Sequence, residues 1–180
     1  EIENMFPGKH STYFINILLI ALSVIALINP AIINGYPLVY SDSGTYIYSG
    51  HTGIVPVDRP LGYGLFVRHI SMSYNLWFVI VAQVLILFSL MFLLFRNFIP
   101  LKKYNFLISS ASCIFLSFTT SLSNYTSQIM PDIFSAVAIL SIALLLVGNN
   151  LTFYVKIYLG ILVILSCLFH TSNLISVTIL

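Results

Sequence analysis

Charge is scarce in this chain: Asp, Glu, Lys and Arg make up 7% of its 180 residues, and the formal net charge is +2. A surface that tracks phosphates along a strand needs clustered cations. The densest cluster here is Lys102-Lys103, so nucleic acid is excluded as a partner. Cysteine is almost absent as well. Cys113 and Cys167 both fall inside apolar runs, where a thiol behaves as a small hydrophobe, so the sequence encodes neither a disulfide framework nor a Cys/His zinc set. There is no GxGxxG or Walker loop, no G-x-S-x-G elbow, no internal repeat and no low-complexity tract, which removes the common nucleotide-binding and serine-hydrolase signatures.

What is abundant is apolar. Hydrophobic residues make up 59% of the chain and the mean hydropathy is +1.01, against about 45–50% apolar usage in soluble domains. These values predict an all-α integral membrane protein whose solvent is mostly lipid. A hydrocarbon core of about 30 Å needs about 20 residues per helix, so the chain has room for a polytopic bundle of about five to six spans plus one long loop. The expected spans are 13–33, 76–95, 106–122, 132–147 and 153–169, with a sixth beginning at Leu174 and a short polar link over 123–131. Residues 1–180 read as one transmembrane module. An opening at Glu1 without Met and an end at Leu180 inside an apolar run read as an N-terminal fragment of a longer protein. Lys9-His10 precede the first run as in a signal peptide, but the run exceeds the about 7–15 residues of such a segment, so it is expected to be retained. Asn29-Pro30 near its end is tolerable if neighbouring helices satisfy the freed backbone groups.

Lys and Arg in short loops set orientation. With the N-terminus in the cytoplasm, Lys9, Arg96, Lys102, Lys103 and Lys156 are inside, and Arg59 and Arg68 are outside. This arrangement puts Asp42, Asp58, Asp132 and His170 at the outer face, although separate segments supply them. They are thus candidates for one shared site.

Most of the outer-face chemistry lies in one stretch, 36–73, the expected first extracytoplasmic loop. It contains Ser41-Asp42-Ser43-Gly44-Thr45-Tyr46, Asp58-Arg59-Pro60-Leu61-Gly62-Tyr63, His51 and His69. Within it, Leu61, Leu65, His69 and Met72 fall on one helical stripe flanked by Phe66 and Ile70, which predicts a short interfacial helix lying on the bilayer.

Each candidate residue has a structural reading beside the functional one. Asp42, or Ser41, caps a helix, or Asp42 is a general base or metal ligand at the mouth of the bundle, where partial desolvation tunes a carboxylate. Asp58-Arg59 is an exposed ion pair of little energetic weight; alternatively, Arg59 and Arg68 hold a phosphate headgroup, since a guanidinium fork matches phosphate bidentately. Pro131-Asp132 suits a helix start, but an acid at a membrane entry also marks function. His170 is a helix-end histidine or a hydrogen-bonding group in the cavity. The Asn-x-Thr triplets at Asn124 and Asn150 match a glycosylation pattern that short chance matches also produce.

The order of these features resembles the GT-C superfamily of membrane glycosyltransferases, particularly its protein-mannosyltransferase and lipid-A aminoarabinose-transferase-like branch. The likeness rests on Asp42 in the loop after the first span, on Asp58-Arg59-Pro60-Leu61-Gly62-Tyr63 where the family has a His-Pro-Pro-type segment, and on Pro131-Asp132 opening a later span. Two positions depart from the family pattern: Ser43 stands where many relatives carry Glu after the Asp, and Leu61 stands where the second Pro is expected. The resemblance implies transfer of a sugar from a polyprenyl-phosphate-linked donor to a lipid, glycan or protein acceptor at the outer face of a bacterial inner membrane. Asp42 is then the catalytic base of an inverting reaction. Arg59 and Arg68 bind the donor phosphate, and Asp58, Tyr46, Tyr63, Asp132 and His170 support the site. A divalent cation, Mg or Mn, on Asp42 and Asp132 is the alternative to arginine at the phosphate. The rival expectation is a transporter or lipid-handling protein with Asp42, Asp132 and His170 lining a path; such paths favour the bilayer midplane, whereas these residues sit at helix ends.

Overall fold

The computed structural model describes residues 9–100, 102–149 and 151–174. Among them the chain is all-α: nine α-helices and a 3-10 turn, joined by loops and one isolated β-bridge. The expected sixth span falls outside the described residues from 175 onward.

The first expected span is two helices, α1 (Lys9–Leu27) and α2 (Asn29–Asn34). Pro30 has no N–H to continue the ladder, and at the break the hydroxyls of Thr126 and Ser127 donate to the Leu27 carbonyl at 2.7 and 3.3 Å. Neighbouring side chains thus supply the polar partners that a helix break in an apolar setting requires. Gly35, at φ +75°, closes α2 in the left-handed region, where a residue without Cβ is unstrained.

The stretch 36–73 is not a loop carrying one surface helix. It folds as two packed helices, α3 (Ser41–Thr52) and α4 (Leu61–Ser71). The expected helix over 61–72 is α4, with Leu65, His69 and Met72 of its stripe exposed and Leu61 half-buried, while its other face, Tyr63, Gly64, Val67 and Ser71, is buried. The cause is close backbone approach. A Cβ on Gly50 of α3 would collide with the Gly64 carbonyl, and one on Gly64 would meet Tyr46 O and Ser49 Oγ, both at 2.7 Å. Periodicity counts apolar residues and cannot score a face built from glycine.

The remaining helices are α5 (Trp77–Phe98), α6 (Asn105–Thr119), α7 (Leu122–Ser127), α8 (Ile133–Val147) and α9 (Phe153–Phe169). The expected polar link over 123–131 therefore begins as helix. By length and composition α5 is the one helix among the described residues able to cross a membrane. The others are shorter: α6 and α8 have 15 residues each and α9 has 17. At 1.5 Å per residue these lengths are about 22–26 Å.

An aromatic cluster ties α3 and α4 to the α8–α9 pair. Tyr46 and Tyr63 meet edge to face at 5.1 Å, Phe66 lies 5.5 Å from Phe134, and Phe134 and Phe169 stand at 90° and 4.7 Å. Such pairs contribute about 0.5–1.5 kcal/mol beyond area burial. Phe134 follows Asp132 closely and Phe169 precedes His170 directly, so the cluster also fixes the positions of two candidate polar residues above it.

Candidate functional site

The segment before α3 is stitched to the segment before α8. Leu38 N–H donates to Ser127 O and Ile129 N–H donates to Leu38 O, both at 2.9 Å, forming a parallel bridge between Leu38 and Gln128. Ser43 adds a third tie: its hydroxyl accepts from Tyr40 N–H at 2.9 Å and donates to Ile129 O at 2.9 Å. Ser43 is fully buried. A carboxylate there would bring a buried charge with no hydrogen to offer Ile129 O.

These ties place Asp42 and Asp132 on one open groove of about 530 Å³, lined also by Tyr40, Ser121, Asn124, Tyr125 and Gln128. Each acid has a partner. Arg59 Nη2 reaches Asp42 Oδ2 at 2.7 Å, and its Nε lies 3.6 Å from Asp58 Oδ2. His170 Nε2 stands 3.8 Å from Asp132 Oδ1, and Gln128 Nε2 donates to Asp132 Oδ2 at 3.3 Å. The Asp42 and Arg59 side chains are 30% and 32% exposed, so the pair is neither sealed from substrate nor fully screened by water. Asp42 lies in the first turn of α3, where Ser43, and not Asp42, caps by accepting the Tyr40 N–H; the Asp42 carboxylate is turned to Arg59 instead.

Tyr46 and Tyr63 sit beneath the groove. Burial raises the Tyr46 hydroxyl above its ordinary range, opposed by the charge of Arg59. Burial raises Tyr63 well above its range, with Tyr46 and Asp132 adding to the effect. Tyr63 donates to Gln83 Oε1 at 2.7 Å, and Gln83 Nε2 donates to Gln128 O at 3.1 Å. Tyr63 thus anchors the link carrying Gln128 and does not line the groove. Arg68 stands apart as well: its Nη1 donates to Gly50 O at 3.3 Å near the C-terminal end of α3, and it is not among the groove residues. Of the two expected phosphate-binding arginines, only Arg59 touches Asp42.

The donor set does not fit a resident divalent cation. Among the described residues no group of three or more His, Cys, Asp or Glu comes together, and both groove carboxylates already face an arginine or a histidine and glutamine.

Sequence reasoning missed Tyr40, Asn124, Tyr125, Gln128 and Ser43. The bridge that gathers them joins segments far apart in sequence and leaves no periodic trace. Comparison with known proteins found no matching family model, no matching curated protein and no matching solved structure.

Proposed function

We propose that this chain is part of a membrane glycosyltransferase of the GT-C type, transferring a sugar from a polyprenyl-phosphate-linked donor to a lipid, glycan or protein acceptor. The observation that carries the reading is the shared groove: Asp42 and Asp132 line one open cleft, with Arg59 at 2.7 Å from Asp42. Asp42 accepts the acceptor hydroxyl proton as that oxygen attacks the anomeric carbon from the face opposite the leaving group. The bond from the anomeric carbon to the phosphate oxygen breaks, and its electron pair stays on the lipid phosphate. Arg59 is shared between Asp42 and that developing charge, a place where preorganised cations are effective. The logic parallels an inverting glycosidase, with an acceptor hydroxyl in place of water. Asp132, held by His170 and Gln128, orients the acceptor across the groove.

This reading puts the bundle in the bacterial inner membrane, with α5 crossing, the shorter apolar helices α1, α6, α8 and α9 packed around it, and the groove outside. Support comes from the mean hydropathy and from large apolar side chains turned outward, such as Phe14, Phe118 and Leu146 at 69, 72 and 71% exposure. Apolar faces of that extent on a soluble monomer are rare. For orientation, Ser41→Cys is expected to react with an impermeant thiol reagent on intact cells; labelling only after rupture reverses the topology.

The activity is tested by giving membranes containing the full-length protein a radiolabelled polyprenyl-phosphate sugar. Label is expected to move to acceptor with the wild-type protein. A properly inserted Asp42→Asn variant that transfers at the wild-type rate removes Asp42 as the base.

A further inference from the structure

The groove of Asp42 and Asp132 has a lining unlike the rest of this apolar chain. Among the described residues that form it, Met130 alone has a side chain without nitrogen or oxygen, and no Lys or Arg is present. Gln128 is the most constrained member. It is 6% exposed, yet it lines the groove. Its backbone carbonyl accepts from Gln83 Nε2 at 3.1 Å, and its own Nε2 donates to Asp132 Oδ2 at 3.3 Å. The Asp132 bond is the one hydrogen bond that the Gln128 side chain makes among the described residues, so Oε1 is left over. Oε1 is not among the enclosed polar atoms without a partner, and an unbonded acceptor that is not enclosed opens on the groove. An amide carbonyl and a carboxylate each have lone pairs to spare, which gives the groove a fixed pair of neighbouring acceptors. Two rings stand at the same groove: Tyr40 and Tyr125 are 54 and 48% exposed, and neither belongs to a ring pair among the described residues.

The geometry points to a neutral saccharide as the acceptor: adjacent ring hydroxyls donate to Gln128 Oε1 and to Asp132, and a C–H face of the sugar lies on the open Tyr125 ring. The ligand that suits fixed acceptors is one that brings hydroxyl donors. A negatively charged acceptor would face the Asp132 carboxylate with no Lys or Arg in the lining, and the apolar body of a lipid acceptor would find only Met130. Tyrosine offers an apolar ring with a polar tip, which matches a sugar, whose C–H faces are ringed by hydroxyls. The groove of about 530 Å³ is within the roughly 300–1,000 Å³ of small-molecule sites, where a few placed polar groups fix orientation. The inference narrows the acceptor of the proposed transfer to a glycan. Its role as acceptor rests on that transfer reading, whereas saccharide binding itself does not.

The test is a saturation-transfer NMR titration of the full-length protein in a detergent without a sugar headgroup. The probes are neutral trisaccharides of glucose, mannose, galactose and N-acetylglucosamine, with a monoacylglycerol and a serine-containing peptide as separate arms. Saturable binding of at least one trisaccharide is expected, weakened about tenfold by Tyr125→Ala, the size of an aromatic hot-spot truncation. Tyr125→Trp keeps a ring face and is expected to retain binding. Gln128→Met keeps the side-chain length, removes the acceptor and is expected to weaken binding as well; if it fails to fold, the two Tyr125 variants decide. Binding of no trisaccharide, or binding that Tyr125→Ala leaves unchanged, overturns the saccharide site. Trisaccharide binding by a protein that moves no label in the transfer assay keeps the site and removes the transferase reading. Label moved to the lipid or the peptide without trisaccharide binding does the reverse.

Discussion

The two ends of the helix bundle handle polar groups in opposite ways. At the Asp42 end every groove carboxylate meets a partner, Asp42 with Arg59 and Asp132 with His170 and Gln128. At the Arg96 end Arg96, Asn149 and Thr152 are exposed, and Asn97 Nδ2 has no hydrogen-bond partner. In the proposed transfer, Asp42 is released to take a proton when Arg59 turns to the donor phosphate. The second end leaves most of its polar groups to solvent. The contrast teaches that scarce charge in an apolar chain is concentrated at helix ends and that its pairing state, more than its amount, separates the two ends.

The largest effect expected is on transfer. Asp42→Asn keeps the shape of the groove and removes the base, so the rate falls by about 10²–10⁴, the usual contribution of general base catalysis; the labelled-sugar assay on membrane-inserted protein reads it. The next breaks the scaffold that holds the Asp42 end together. Gly64→Val pushes side-chain atoms into Tyr46 O and Ser49 Oγ, and overpacking of this kind costs about 1–3 kcal/mol. Thermal unfolding in detergent is expected to show a lower midpoint, while Gly44→Val, where a Cβ meets nothing within 4 Å, shows a much smaller change.

A comparable loss is expected from Tyr63→Phe, which strands Gln83 Oε1 in the core at about 1–3 kcal/mol. This variant lowers the unfolding midpoint and leaves the transfer rate per folded molecule unchanged, separating Tyr63 from the groove chemistry. The smallest effect is in pH dependence. Tyr46 and Tyr63 have folded pKa values above the ordinary Tyr value of about 10. The unfolded chain therefore loses these protons first as pH rises. Stability from this source is fully present below pH of about 10 and is lost as pH climbs through the raised folded values; unfolding followed from pH 8 upward reads the onset.

The apolar helices were the legible part of this molecule. The apolar run 153–169 is helix α9 to the residue, and 132–147 is helix α8 within one position, because long apolar runs bounded by polar residues leave few alternatives. The division of the first span needed Thr126 and Ser127 from elsewhere in the chain, so it was visible only as a Pro in an awkward place. The inward face of α4 was illegible for a different reason: Gly50 and Gly64 contribute by lacking atoms, and the partner of Tyr63 is Gln83 on another helix. Asp42, Arg59, Asp132 and His170 stood out by charge alone, whereas Ser43 and Gln128 gain their roles only through the bridge between Leu38 and Gln128.

The most direct test is a double-mutant cycle on the transfer rate, with Asp42→Asn, Arg59→Gln and the combination inserted to equal levels. If Asp42 and Arg59 act as one unit across the groove, the double variant is no slower than the slower single variant. Losses that multiply, as for independent residues, would contradict a shared role for the pair.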